Sequence, residues 1–307
     1  PPLPMPRRPP RPTLSDDRRQ RQMCIRDSLA GAILAPHLIE KGTGRVQAVF
    51  RSVVYCRHGD GLVAVTDSEV EPGPINLQTD IPGSTGMRRF GIIVGQKTFL
   101  SNHMLQIANL RVNLGNVSIW SPPRARHLSS GALRLGLQRL SSTTLSPSSS
   151  GLGVQGWEIP EVRTQMDHWL ADVMTGLPIQ NSADWAVPLI GRGPGLTPSG
   201  DDFLGGVMIA LCATGKAAAA QNLWNTIQDR AITDTNEISH ALLSAAARGQ
   251  GSASLHRAMN ALIDGGRDLD TALALVARIG HSSGWDALAG IQAVLSAYTN
   301  LAADHAA

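Results

Sequence analysis

Apolar residues follow one spacing up to about residue 120 and a different one after residue 160, so the chain reads as two bodies of different class. From Pro160 onward the period is helical: Val162, Met166, Trp169, Leu170, Val173 and Met174 share one face. Further helices are predicted over 203–214, 218–231, 236–248, 254–264, 268–279 and 286–303. Gly176, Gly215, Gly249, Gly265 and Gly280 stand near their ends, where a left-handed residue closes a helix. Before residue 120 the apolar runs are short. The run 45–55 leads into the turn His58-Gly59-Asp60-Gly61, and 62–66 is the return strand of a hairpin. Further strand-like runs lie at 75–77, 90–94 and 112–120, separated by Glu71-Pro72-Gly73-Pro74 and Ile81-Pro82-Gly83. Regularly punctuated short strands predict a small barrel or sandwich.

With 307 residues there is room for two ordinary domains. The fold class expected is α+β: a β-rich domain over 29–125, a linker over 126–158, and an all-α domain over 159–307. Within the linker, 131–140 carries Leu133, Leu135, Leu137 and Leu140 and reads as a helix, whereas 141–150 is mostly Ser, Thr and Pro. Apolar residues make up 42% of the chain and aromatics only 4%, which favours close-packed helices built on small residues.

The net charge of +3 is unevenly placed. Residues 1–28 hold seven Arg and three Asp, so the remaining chain sums to about −1. That remainder carries no basic footprint for nucleic acid. The tail has no structural period, no apolar core of a signal peptide, and a Pro/Arg-rich start that fits a transit peptide poorly. It reads as translated adapter sequence, set aside from fold reasoning, which implies that the native start is missing and the first domain shortened. Outside it, Cys56 and Cys212 are two isolated cysteines, which fit buried thiols in a reducing cytoplasm rather than a disulfide framework. The longest apolar run, about 203–213, is too short to span a membrane.

The densest chemistry is Gly191-Arg192-Gly193-Pro194-Gly195-Leu196-Thr197-Pro198-Ser199-Gly200-Asp201-Asp202, just before an apolar helix. Glycines and prolines fix the path of such a loop and expose backbone N–H groups. Gly193, Gly195 and Gly200, with the hydroxyls of Thr197 and Ser199, form a candidate anion cradle at a helix N-terminus. One carboxylate suits a helix start; the second is more than a cap needs, and it can hold a metal ion, a substrate amide or a proton. The segment lacks the Lys of a phosphate-binding P-loop and the flanking strand of a dinucleotide fingerprint.

A second segment, Gly280-His281-Ser282-Ser283-Gly284-Trp285-Asp286-Ala287-Leu288-Ala289-Gly290, repeats the pattern Ser-Gly-x-Asp-x-Leu-x-Gly. Ser199, Gly200, Asp202, Leu204 and Gly206 correspond to Ser283, Gly284, Asp286, Leu288 and Gly290. Two such helix starts facing one cleft would make two half-sites, with Ser282, Ser283 and Asp286 as binding groups and His281 as a group that titrates near neutrality. The structural alternative is two unrelated helix caps, since Ser and Asp are common there. A third patch, Thr233, Thr235, Asn236, Glu237 and Ser239, is read as an N-cap, with a polar contribution to the cleft left open. His103, His127, His168, His240 and His256 show no metal-ligand spacing.

Gly193 through Leu204, then Glu237-Ile238-Ser239, then Gly280 through Gly284, in that order, resemble the AllH family. The sequence departs from the expected pattern at Arg192 and is diffuse across the first domain. The resemblance implies a subunit of a catabolic oxamate carbamoyltransferase in purine-ureide degradation, acting with two partner subunits: oxalurate plus phosphate gives oxamate plus carbamoyl phosphate. The substrates are small anions. The chemistry asks for an anion cradle, met by Gly193–Gly200 with Thr197 and Ser199, and for a proton on the leaving nitrogen, for which His281 is the candidate. Asp201, Asp202 and Asp286 would repel anions unless capped, metal-bound or turned to amide N–H groups. Two other classes stay open: a metal-dependent hydrolase with a divalent ion on Asp201, Asp202 and Asp286, and a non-catalytic subunit that binds a ligand and organises partners.

Overall fold

The computed structural model describes residues 23–25, 28–38, 41–101, 103–123, 127–143, 160–176 and 180–304. Ten strands form one curled, half-barrel sheet: β1 Met23–Ile25, β2 Ser28–Gly31, β3 Gly42–Val49, β4 Val53–His58, β5 Gly61–Thr66, β6 Asn76–Thr79, β7 Lys97–Ser101, β8 Met104–Ile107, β9 Leu110–Asn113 and β10 Ser118–Trp120. Their order across the sheet is β1-β9-β8-β7-β3-β4-β5-β6-β2-β10. The expected hairpin is β4–β5, antiparallel, with His58 paired to Gly61. The run 45–55 is two strands, because Arg51 and Ser52 sit in a turn closed by the Phe50 N–H on the Val53 carbonyl. The run 112–120 likewise breaks between β9 and β10. No strand occupies 90–94: Met87–Phe90 is a 3-10 turn, and Ile93 and Val94 are 67% and 63% exposed in the loop that follows.

The sheet also takes in Met23–Ile25, paired parallel with Leu110–Val112, and Ser28, paired with Thr79. The sequence reading sets both aside with the tail; strands of three or four residues show no period. Residues 1–22 lie outside the described ones, as does most of the Ser-rich linker.

Central strands have two buried faces, which explains their continuous apolar runs. Alternation sends Val54, Cys56, Val63 and Val65 into the core of the β domain. It sends Val53, Tyr55, Leu62 and Ala64 to the other face, against Ile238, Ala241 and Leu242 of a helix.

The helices are α1 Ser130–Ser142, α2 Pro160–Thr175, α3 Ser199–Ala213, α4 Ala217–Asp234, α5 Glu237–Ala246, α6 Ala253–Ile263, α7 Leu269–Val276 and α8 Ser283–Asp304. All six apolar positions read from the α2 period are buried, and the five terminal glycines have positive φ. Helix α3 is buried on nearly every side and packs against α8, α4 and α5. Leu133 of α1 joins this helical core. Beside the apolar contact of β4 and β5 with α5, polar links among the described residues tie the halves together: Arg57 of β4 pairs with Glu237 of α5 at 2.6 Å, and the Ala253 N–H of α6 donates to the Pro72 carbonyl. Cys56 and Cys212 are free, and burial pushes the Cys56 thiol up to about 12 and the Cys212 thiol up to about 11. Among the described residues no helix is long and apolar enough to cross a membrane.

Candidate functional site

Neighbouring carboxylates at the start of α3 have opposite surroundings. Asp201 points back into the protein. It accepts hydrogen bonds from the Gly191 N–H, the Thr235 hydroxyl and the Ser239 hydroxyl. It thereby fastens the glycine-rich loop to the beginning of α5, whose N-cap is Asn236, accepting from the N–H groups of Ile238 and Ser239. The third polar patch is therefore an N-cap plus two clamps on Asp201. Asp201 is a tether, with both oxygens committed.

Asp202 turns the other way. The Thr197 and Ser283 hydroxyls lie 2.7 Å apart, and both stand close enough to its carboxyl group to favour the charged form. Its Oδ2 is buried with no hydrogen-bond partner. Burial raises its pKa well above the usual carboxylate range; the two hydroxyls oppose this, and the nearby carboxylates of Asp286 and Asp201 add to it. Asp286 is fully buried. From the other domain, Tyr55 comes close enough to Asp202 for the two to interact electrostatically, and burial and then Asp202 keep its phenol protonated to higher pH.

The repeated motif explains why the two loops meet. A Cβ on Gly206 would fall on the Ala287 carbonyl oxygen, and one on Gly290 would fall on the Phe203 carbonyl oxygen, at 1.9 and 2.1 Å. Phe203 and Ala287 occupy the same motif position, as do Gly206 and Gly290. The α3–α8 contact therefore exchanges equivalent residues, as about an approximate two-fold axis, and only glycine permits so close a crossing. Gly200 and Gly284 are packed in the same way, against the carbonyls of Leu189 and Val276.

A cavity of about 510 Å³ opens between the domains. Asp201, Asp202, Gly206, Gly280, Ser283 and Ala287 line it from the helical side, and Tyr55, Thr66 and the 69–74 loop from the β side. That loop is shaped by Asp67 Oδ1, which accepts from the N–H groups of Glu69 and Val70, and by the Asn76 and Gln78 amides, which donate to the Glu71 and Val70 carbonyls.

Of the residues singled out in the sequence, Thr197, Asp202, Ser283 and Asp286 come together. Ser199 is buried, and the Gly200 N–H is already spent on the Arg192 carbonyl. Gly193 and Gly195 are exposed. Ser282 is half-buried, its carbonyl accepting from the Trp285 and Asp286 N–H groups. His281 is exposed; from this loop the wall takes Gly280 and Ser283. For the alternative of a divalent ion on Asp201, Asp202 and Asp286 the structure offers no support: among the described residues no three His, Cys, Asp or Glu side chains are grouped to hold an ion. Sequence reasoning missed Tyr55, Thr66 and Gln250. Alternation in β4 and β5 could have placed Tyr55 and Thr66 on the helix-facing side, but nothing local marks Gln250.

No curated protein and no solved structure matches the chain. Two family models do. One, described as the AllH family N-terminal domain, covers residues 22–119. The other, described as oxamate carbamoyltransferase subunit AllH, covers residues 189–295 and so spans both copies of the motif and the α3–α8 crossing. On these two matches, which together take in both halves of the cavity, the chain belongs to the AllH family.

Proposed function

We propose that this chain is a subunit of a catabolic oxamate carbamoyltransferase in ureide breakdown, working with two partner subunits on oxalurate and phosphate. The observation that carries the reading is the Asp202 carboxyl, buried so that it holds its proton to higher pH, with the Tyr55 phenol near it in the cavity between the domains. In the reaction a phosphate oxygen bonds to the carbamoyl carbon, the bond from that carbon to the amide nitrogen breaks, and the nitrogen leaves with the electron pair and needs a proton. A protonated Asp202 brings that proton and regains one from the attacking hydrogen phosphate, and in that state it does not repel anionic substrates, as an ionised one would. In this reading Asp202 replaces His281 as the proton source. Among the described residues on the cavity wall, Arg278 is the one cation, and it serves the oxalurate carboxylate.

The test is to purify the chain with its two partner subunits and measure carbamoyl phosphate formed from oxalurate and phosphate. Asp202→Asn should lower turnover by about 100-fold or more, in the range of a lost general acid, while His281→Ala keeps most of it. Absence of oxalurate-dependent product, or full activity in Asp202→Asn, overturns the reading.

A further inference from the structure

Away from the two motif loops, the cavity wall carries a second set of polar groups. Thr66 at the end of β5 is 1% exposed and Ser254 in the first turn of α6 is 0% exposed. Neither hydroxyl has a hydrogen-bond partner among the described residues, nor does the Gln250 side-chain carbonyl in the link before α6. All three residues line the one cavity. A buried polar atom without a partner costs free energy that Val, Ala or Met in its place would avoid. Three of them around one space are what a ligand with matching donors and acceptors would satisfy.

The surroundings decide the chemistry of that ligand. The start of α6 would favour an anion if its N–H groups were bare, but those of Ala253 and Leu255 are committed, as is the Gly251 N–H just before it. The Gly251 N–H donates to His256 Nε2, the Ala253 N–H to the Pro72 carbonyl, and the Leu255 N–H to the Ser252 hydroxyl. No Lys, Arg or charged carboxylate belongs to this trio. A carbonyl oxygen that only accepts and two hydroxyls that do either match a group offering both N–H and C=O. Val53, Ile209, Leu242 and Leu255 supply apolar walls to the same space.

We propose that Thr66, Gln250 and Ser254 form a subsite for an uncharged amide or ureido group, with the ligand N–H on Gln250 and its carbonyl on the two hydroxyls. The inference rests on reading the cavity as the substrate site. It adds that the ureido end of the substrate docks here, across the domain interface.

The experiment uses the full chain with N-acetylurea, an uncharged acylurea, and with oxalurate, followed by calorimetry and saturation-transfer NMR. Thr66→Val, Ser254→Ala and Gln250→Met should each weaken N-acetylurea binding about tenfold or more. Thr66→Ser, which keeps the hydroxyl, should restore it. Because the replaced atoms make no internal hydrogen bond, melting temperatures should stay level or rise, which a purely structural role would not give. Wild-type chain that fails to bind N-acetylurea, or variants that bind it as well as wild type, overturns the subsite. If binding follows the variants as stated but the reconstituted complex makes no carbamoyl phosphate, the subsite stands and the transferase reading falls. If the complex turns over oxalurate and all three variants keep its KM, the subsite alone falls.

Discussion

Gly206 lies so close to Ala287 that a methyl group on it would stand 1.9 Å from the Ala287 carbonyl oxygen. Since this contact sets the approach of α3 to α8, Gly206→Ala and Gly290→Ala should each destabilise the protein by about 1–3 kcal/mol, the cost of overpacking, despite the better helix propensity of Ala. Gly205 is the control. Its Cβ would meet only the Ala246 methyl at 3.8 Å, so Gly205→Ala should be neutral or stabilising by up to about 1 kcal/mol. Urea unfolding of the three variants checks this.

Asp202→Asn should change the pH dependence of stability. The folded state holds the Asp202 proton to higher pH than the unfolded chain does. Its contribution is therefore full below the unfolded pKa of 3.8 and is lost as pH rises through the folded value, with a slope of at most about 1.4 kcal/mol per pH unit. The variant lacks that slope. It should gain on wild type as pH rises through this window, and thermal melts from pH 4 to pH 9 would show equal slopes if Asp202 were ionised throughout.

Asp201→Asn should do the reverse and harm folding. Its carboxylate accepts three hydrogen bonds, two from hydroxyls and one from a backbone N–H. An Asn keeps an oxygen for the Gly191 N–H but presents an N–H to the Thr235 and Ser239 hydroxyls, which must turn round to accept it, and the charge that strengthened all three bonds is gone. A loss of about 1.5–3 kcal/mol is expected, the value of a hydrogen bond to a charged group. Equal stability of Asp201→Asn and wild type would show that the tether contributes nothing.

Acid should weaken the chain through His256. Burial lowers its pKa to about 4, and its Nε2 accepts the Gly251 N–H, which requires the neutral ring. The stability it confers is full above 6.5 and lost as pH falls towards 4, roughly 3 kcal/mol over that window. His256→Gln should flatten this acid-side fall, and NMR titration of the imidazole should give a pKa well below 6.

The helical half was legible in the sequence because its period is long and its glycines mark the ends. Val162 through Met174 needed only the 3.6-residue repeat. The β half was not: β7 and β8 are short, and the exposed Ile93 and Val94 mimic a strand. At the site, the repeated motif was enough to bring Thr197 to Ser283. It could not separate Asp201 from Asp202, because adjacent residues on a helix point about 100° apart and only the packing of α5 and α8 says which has both oxygens tethered and which keeps one without a partner. Gln250 carries no local signal; its role depends on where the β domain lies.

A ribosome releases Tyr55 long before it makes Ser283, yet both stand at the same carboxyl group. The β sheet can close early during synthesis, but Asp202 stays open to water until α8 crosses α3. The proton on that side chain is thus among the last properties the chain acquires, a consequence of winding order rather than of any single residue.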